Sequence, residues 1–168
     1  GKRAICAGPG NPPVVVDETA DIKLAARGIL SGASFDNNLI CSDEKEVFAV
    51  KSVFDQLRRE LKAAGAYELS ESQMSRLTKH IIDADGKHSN KEFIGKNVSV
   101  ILDSIGVRVG DDVRLAFGVV DEKHPLVNVE QLLPVLPLVK ANDACEAIEM
   151  ARRAEQGLGH TASIYSRN

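Results

Sequence analysis

The chain has 168 residues, 43% hydrophobic and 27% charged, with 21 basic against 24 acidic side chains and a formal net charge of −3. That composition excludes disorder, collagen and coiled coil. A chain of this length buries about 70% of the surface its unfolded form exposes, enough for one domain with a full core.

In chain order, Lys2 to Cys6 is a strand candidate running into Gly8-Pro9-Gly10-Asn11-Pro12-Pro13, the strongest breaker in the sequence. Val14-Val15-Val16 is a continuous apolar run, the mark of a strand buried on both faces. Thr19 is the expected N-cap of an amphipathic helix, with Asp21 near its positive end. Ile22, Ala25, Ala26, Ile29, Leu30 and Ala33 form its apolar face. Ser34 to Glu46 is polar and irregular, and Val47 to Val50 reads as a second buried strand. Val53, Phe54, Leu57 and Leu61 make a helical stripe that ends near Gly65. Ser70 and Gln73 fit a capping box ahead of Met74, Leu77 and Ile81. Asp83 to Asn90 is loop. A helix is expected over Val98 to Ile105, and strands over Val113 to Val120 and Val135 to Val139. Asn142 is the expected cap of a helix with Ala144, Ala147, Ile148, Ala151 and Ala154 on one face and Gly157 at its end. Thr161 to Tyr165 reads as a last strand. Strands alternate with helices and lack polar alternation. The class is therefore α/β: three layers, with a mostly parallel central sheet covered by helices on both faces.

Several functions are argued against. The charge balance gives no general reason to bind nucleic acid. With no Trp, five Phe and two Tyr, stacking platforms are scarce. The longest nearly apolar stretch, Leu132 to Val139, is broken by Pro134 and Pro137 and falls short of the ~20 residues of a membrane span. No basic, apolar-cored leader is visible. The Gly8-Pro9-Gly10 turn is not a dinucleotide fingerprint, because Pro13 stands where the third Gly belongs; a rigid turn that lets two backbones approach is the expectation. Asp83, Asp85 and Gly86 fail as a calcium loop, since its sixth and twelfth positions are His88 and Ile94. His80, His88, His124 and His160 show no ligand spacing, so no metal is expected.

Three widely spaced cysteines make neither a disulfide framework nor a metal site and suit a reducing, cytoplasmic compartment. Cys6 in a strand and Cys145 in a helix are expected to pack as small hydrophobes. Cys41 differs. It follows Phe35-Asp36-Asn37-Asn38-Leu39-Ile40, a loop between the clearest helix and a buried strand, where functional residues collect. Only Lys45 among basic residues lies close to it in sequence. Spacing alone leaves open a nucleophile, a buried structural cysteine, or a thiol acyl hydrolase paired with a distant His.

Ser34-Phe35-Asp36-Asn37-Asn38-Leu39-Ile40-Cys41 resembles the nucleophile segment of coenzyme-A-acylating aldehyde dehydrogenases, most nearly those of ethanolamine and propanediol utilization. Ala7 through Asp17 is similar to the segment that precedes the cysteine in that group. Glu130-Gln131-Leu132-Leu133-Pro134-Val135 resembles the segment whose Glu contacts the nicotinamide ribose. Gly159 through Ile164, with Arg167-Asn168, resembles the strand after it. Order and spacing agree across nearly the whole chain, although Gln56 to Gly110 carries no motif. The resemblance implies Cys41 as catalytic nucleophile and Glu130 as cofactor-binding residue. It implies NAD as cofactor, coenzyme A as co-substrate and a short-chain aldehyde as substrate. Homo-oligomerisation of the longer protein and housing in a bacterial microcompartment belong to the same implication.

The departures sharpen it. Hydrolytic relatives carry a water-activating Glu where this chain has Ala7, and their cysteine segment differs at Ser34, Asp36, Asn38 and Leu39. Water, with a pKa of about 15.7, needs a base or metal to attack. A thiol near pKa 8.5 does not, so coenzyme A makes the Glu dispensable. Family members are longer, with an N-terminal nucleotide-binding domain and a C-terminal return segment. Residues 1–168 are then expected to be the catalytic domain alone, inactive as a dehydrogenase. A non-catalytic assembly domain is the alternative.

Overall fold

The computed structural model describes residues 3–4 and 8–168; the strand expected from Lys2 to Cys6 lies mostly outside them, as do Cys6 and Ala7. Among the described residues six strands form one sheet: β1 (Pro13–Val16), β2 (Glu46–Val50), β3 (Tyr67–Leu69), β4 (Ala116–Val120), β5 (Val135–Ala141) and β6 (Ser163–Tyr165). Their order is β3-β4-β5-β2-β1-β6, and every pairing is parallel. The central strands are the apolar runs of the sequence. Val14, Val16, Val47, Phe48 and Leu138 are wholly enclosed, as strands covered on both faces must be.

Helices α1 (Ile22–Ala33) and α2 (Lys51–Ala63) pack against each other. Helix α6 (Ala144–Ala154) packs on β1 and β2, where Val15 shares a groove with Ile148 and Ala151. Val14 and Val16 point the other way along the same strand, so the sheet lies between two helical layers. Helices α3 (Glu71–Ile81) and α4 (Val98–Asp103) build a second core over β3, β4 and β5 with Leu77, Ile101, Leu102 and Leu126. Helix α5 is a single turn, Pro125–Asn128.

The capping box of α3 forms as expected: Gln73 N–H donates to Ser70 Oγ at 3.3 Å, and Ser70 N–H donates to Gln73 Oε1 at 2.8 Å. Two other caps move. Helix α1 is capped by Asp21, which accepts from Leu24 N–H, while Thr19 donates its N–H and hydroxyl to Asp17 at 2.8 and 2.7 Å. The local Asp17–Thr19 turn takes the hydroxyl before the helix begins. Helix α6 is capped by Asp143, not Asn142. Cys145 is exposed rather than packed. It lies two residues before buried Ala147, about 200° around the helix, and Ile148 is also 47% exposed. The strand expected from Val113 starts only at Ala116.

Candidate active site at the amino edge of the sheet

Four loops meet where the parallel strands begin. Gly10 precedes β1, Cys41 precedes β2, Glu130 precedes β5 and His160 precedes β6, and those strands are neighbours in the order β5-β2-β1-β6. The cluster lies at the amino edge. Open α/β sheets ordinarily bind ligands at the carboxyl edge. A groove of about 930 Å³ does open at the carboxyl ends of β3 and β4, between Arg58, Met74, Thr78 and His124. It lies at the opposite edge from Cys41.

Gly10 joins the two sequence-predicted residues. Its N–H donates to Glu130 Oε1 at 3.3 Å. A Cβ on Gly10 would lie 2.8 Å from the Cys41 carbonyl oxygen and 3.2 Å from the His160 ring. The close backbone approach expected of this turn is made against the Cys41 segment. Cys41 itself is half-buried, and its sulfur is a free thiol. Phe35, Leu39 and Ile40 are exposed apolar residues in its loop.

That loop is held in an unusual conformation. A 3₁₀ turn spans Phe35–Asn38, and Asp36, Asn37 and Asn38 have φ of 44°, 55° and 62°. Left-handed backbone costs about 1–2 kcal/mol per residue, least for Asp and Asn. The motif's amides offset it. Asn38 Nδ2 donates to the Ala33 and Glu44 carbonyls at 2.9 and 3.0 Å, and Asn37 Nδ2 donates to Gly95 O and Asn97 Oδ1 at 3.0 and 2.9 Å. Asp43 Oδ2 accepts the Ile40 N–H at 3.1 Å. Among the described residues the Cys41 N–H has no intramolecular acceptor.

Beneath the loop lies a polar layer that sequence patterning missed. Lys45 and Glu46 are both fully enclosed. Burial pulls the Lys45 ammonium below its ordinary value, opposed in turn by Asp43, Glu130, Glu46 and Cys41. Burial pushes the Glu46 carboxyl well above the usual carboxylate range, with Lys45 opposing. Asn11 Nδ2 reaches Glu46 Oε1 at 3.3 Å and the Val127 and Ala154 carbonyls at 2.9 Å each. Gln131 Nε2 donates to the carbonyls of Lys45 and Leu126. The Gly8–Pro13 turn, the Lys45–Glu46 pair and the Glu130–Gln131 segment are thereby tied together below the surface. The one signal in the sequence was a Lys-Glu pair set directly against an apolar strand.

Across the whole chain, residues 1–168, the matching family is the aldehyde dehydrogenase family. This chain belongs to it. An acetylating acetaldehyde dehydrogenase from Bilophila wadsworthia is 46% identical over 177 residues, covering 99% of this chain and 36% of that protein. A Rhodopseudomonas palustris propionaldehyde dehydrogenase, solved with bound coenzyme A and an acylated cysteine, superposes with a TM-score of 0.94 at 40% identity, over 100% of this chain and 38% of that one. An engineered glycolyl-CoA reductase with bound NADP+ matches equally, with a TM-score of 0.94, 40% identity and coverage of 100% and 38%. The chain thus spans somewhat over a third of the length of the aldehyde dehydrogenases it matches.

In the family's frame the sequence-derived pair, Cys41 and Glu130, meets at one lip through Gly10. No histidine is hydrogen-bonded to the Cys41 sulfur among the described residues. His160, set aside as a metal ligand, stands against Gly10 at the same lip, with Nδ1 2.8 Å from Thr161 Oγ1. Only the fold brings it there.

Proposed function

We propose that this chain is the catalytic domain of a coenzyme-A-acylating aldehyde dehydrogenase acting on short aldehydes, with Cys41 as the acyl carrier. The observation that carries this is the convergence of Cys41 and Glu130 on Gly10, 31 and 120 residues away in sequence. In the forward direction the Cys41 thiolate attacks the aldehyde carbonyl carbon. The Cys41 N–H, which has no acceptor among the described residues, donates to the oxygen as it gains charge. Loss of hydride from that carbon leaves a thioester on Cys41. The thiol of coenzyme A then attacks the thioester, and acyl-CoA leaves as the Cys41 thiolate re-forms.

The nicotinamide cofactor, when bound, supplies the hydride acceptor. Glu130 suits its ribose: one carboxylate oxygen is engaged by Gly10 N–H and the other keeps capacity for a hydroxyl donor. Its role is binding. With Ala7 in place of a water-activating Glu, the thioester is spared hydrolysis and reserved for a thiol. The relatives named above support acetaldehyde and propionaldehyde as the substrate class. A cytoplasmic protein housed in a microcompartment is supported by the motif resemblance.

The acyl-transfer half runs without nicotinamide, so it is testable on these 168 residues. Mixed with propionyl-CoA, the chain is expected to release free coenzyme A in a burst stoichiometric with protein, and Cys41→Ser to release none. Equal release from Cys41→Ser would overturn the proposal.

A further inference from the structure

The ammonium of Lys45 is wholly enclosed, yet it is spent on one loop rather than on a carboxylate. Nζ donates to the Asn38 carbonyl at 2.8 Å, to Asn38 Oδ1 at 2.6 Å and to the Ile40 carbonyl at 3.4 Å. An ammonium has three donors, and all three go to residues immediately ahead of Cys41. The Ile40 carbonyl also accepts the Asp43 N–H at 3.1 Å. Its direction is therefore fixed twice, both times from the inner side of the loop.

That direction has a consequence for Cys41. The Ile40 carbonyl and the Cys41 N–H belong to one planar trans peptide and point opposite ways. A carbonyl drawn in toward the buried ammonium turns the Cys41 N–H outward, where no acceptor among the described residues meets it. Three left-handed residues stand just upstream, so the peptide planes here depend on such ties. We propose that Lys45 is a positioning residue of the acyl-transfer site: its buried ammonium holds the Ile40 carbonyl inward and so presents the Cys41 N–H to the oxyanion. This rests on Cys41 being the acyl carrier.

Two reactions of the same thiol separate this role from simple structural support. Alkylation by iodoacetamide needs the sulfur but no oxyanion donor. Acyl transfer from propionyl-CoA needs both, because the Cys41 S–C bond forms through a tetrahedral oxyanion before the coenzyme A thiolate departs. Loss of one oxyanion donor lowers such rates about 10²-fold or more. Lys45→Met is therefore expected to lower the ratio of acyl transfer to alkylation at Cys41 about 100-fold. Exposed Cys145 serves as the internal standard for alkylation. Should that variant fail to fold by circular dichroism, Asn38→Ala leaves the ammonium in place and removes its 2.6 Å acceptor; it is expected to lower the same ratio at least about threefold. An unchanged ratio in the folded variant overturns the role of Lys45. If the wild-type thiol alkylates but takes no acyl group, the proposed function fails, and the inference with it.

Discussion

Glu46 has one hydrogen-bond partner, the Asn11 amide at 3.3 Å, and its Oε2 has none among the described residues. Such a carboxyl group favours its neutral form, and burial raises its folded-state pKa. The unfolded chain, with a value of about 4.3, releases this proton first as pH rises. The stability Glu46 contributes is whole below that value and is lost as pH climbs through the folded one. Glu46→Gln never ionises and escapes the loss. In urea titrations it is expected to gain on wild type as pH rises above the unfolded value of about 4.3, by at most about 1.4 kcal/mol per pH unit. A difference constant with pH would contradict a neutral Glu46. The carboxyl's surroundings were not legible in the sequence, because enclosure of Lys45 and Glu46 depends on Asn11 and Gln131, 35 and 86 positions away. Cys41 and Glu130 were singled out through sequence motifs, and the Asn37 and Asn38 of the Cys41 motif prove to be the struts of its loop.

At the level of elements, periodicity located α1, α2, α3 and α6, and continuous apolar runs located β1, β2 and β5. Strand β3 was missed because three residues show no period, and its Tyr67 and Glu68 are only half-buried. Helix α5 is one turn, capped by the His124 ring. The left-handed turn at Phe35–Asn38 could be read only as irregular. Cap positions slipped because adjacent polar residues compete for the same helix end, as Thr19 and Asp21 do. The loop-to-loop contact at Gly10 was half legible: the turn was expected to let two backbones approach, but not which. Its consequence is sharp. Gly10→Ala places a methyl group 2.8 Å from the Cys41 carbonyl oxygen and 3.2 Å from the His160 ring. Overpacking of this kind costs about 1–3 kcal/mol. The variant is expected to lose about that much stability in urea and at least about tenfold in coenzyme A release from propionyl-CoA. Wild-type release would show that the approach is not needed.

For the whole molecule, unbroken apolar strands alternating with helices led to a mostly parallel, doubly covered sheet, and all six strands are parallel. The order was not legible. Strand β3 lies beyond β4 and β5, and β6 beyond β2 and β1, placements set by long crossovers rather than by any one segment. Nor was the site's place at the amino edge, which follows from that order. The described residues contain two hydrophobic cores, and no helix among them is long and apolar enough to cross a membrane. The proposed function requires this domain by itself to present Cys41 as the acyl carrier. Peptide mapping by mass spectrometry after brief exposure to propionyl-CoA reads this out: the propionyl group is expected on Cys41 and not on Cys145 or Cys6. A propionyl group spread over all three cysteines, or found on Cys145 alone, would contradict it.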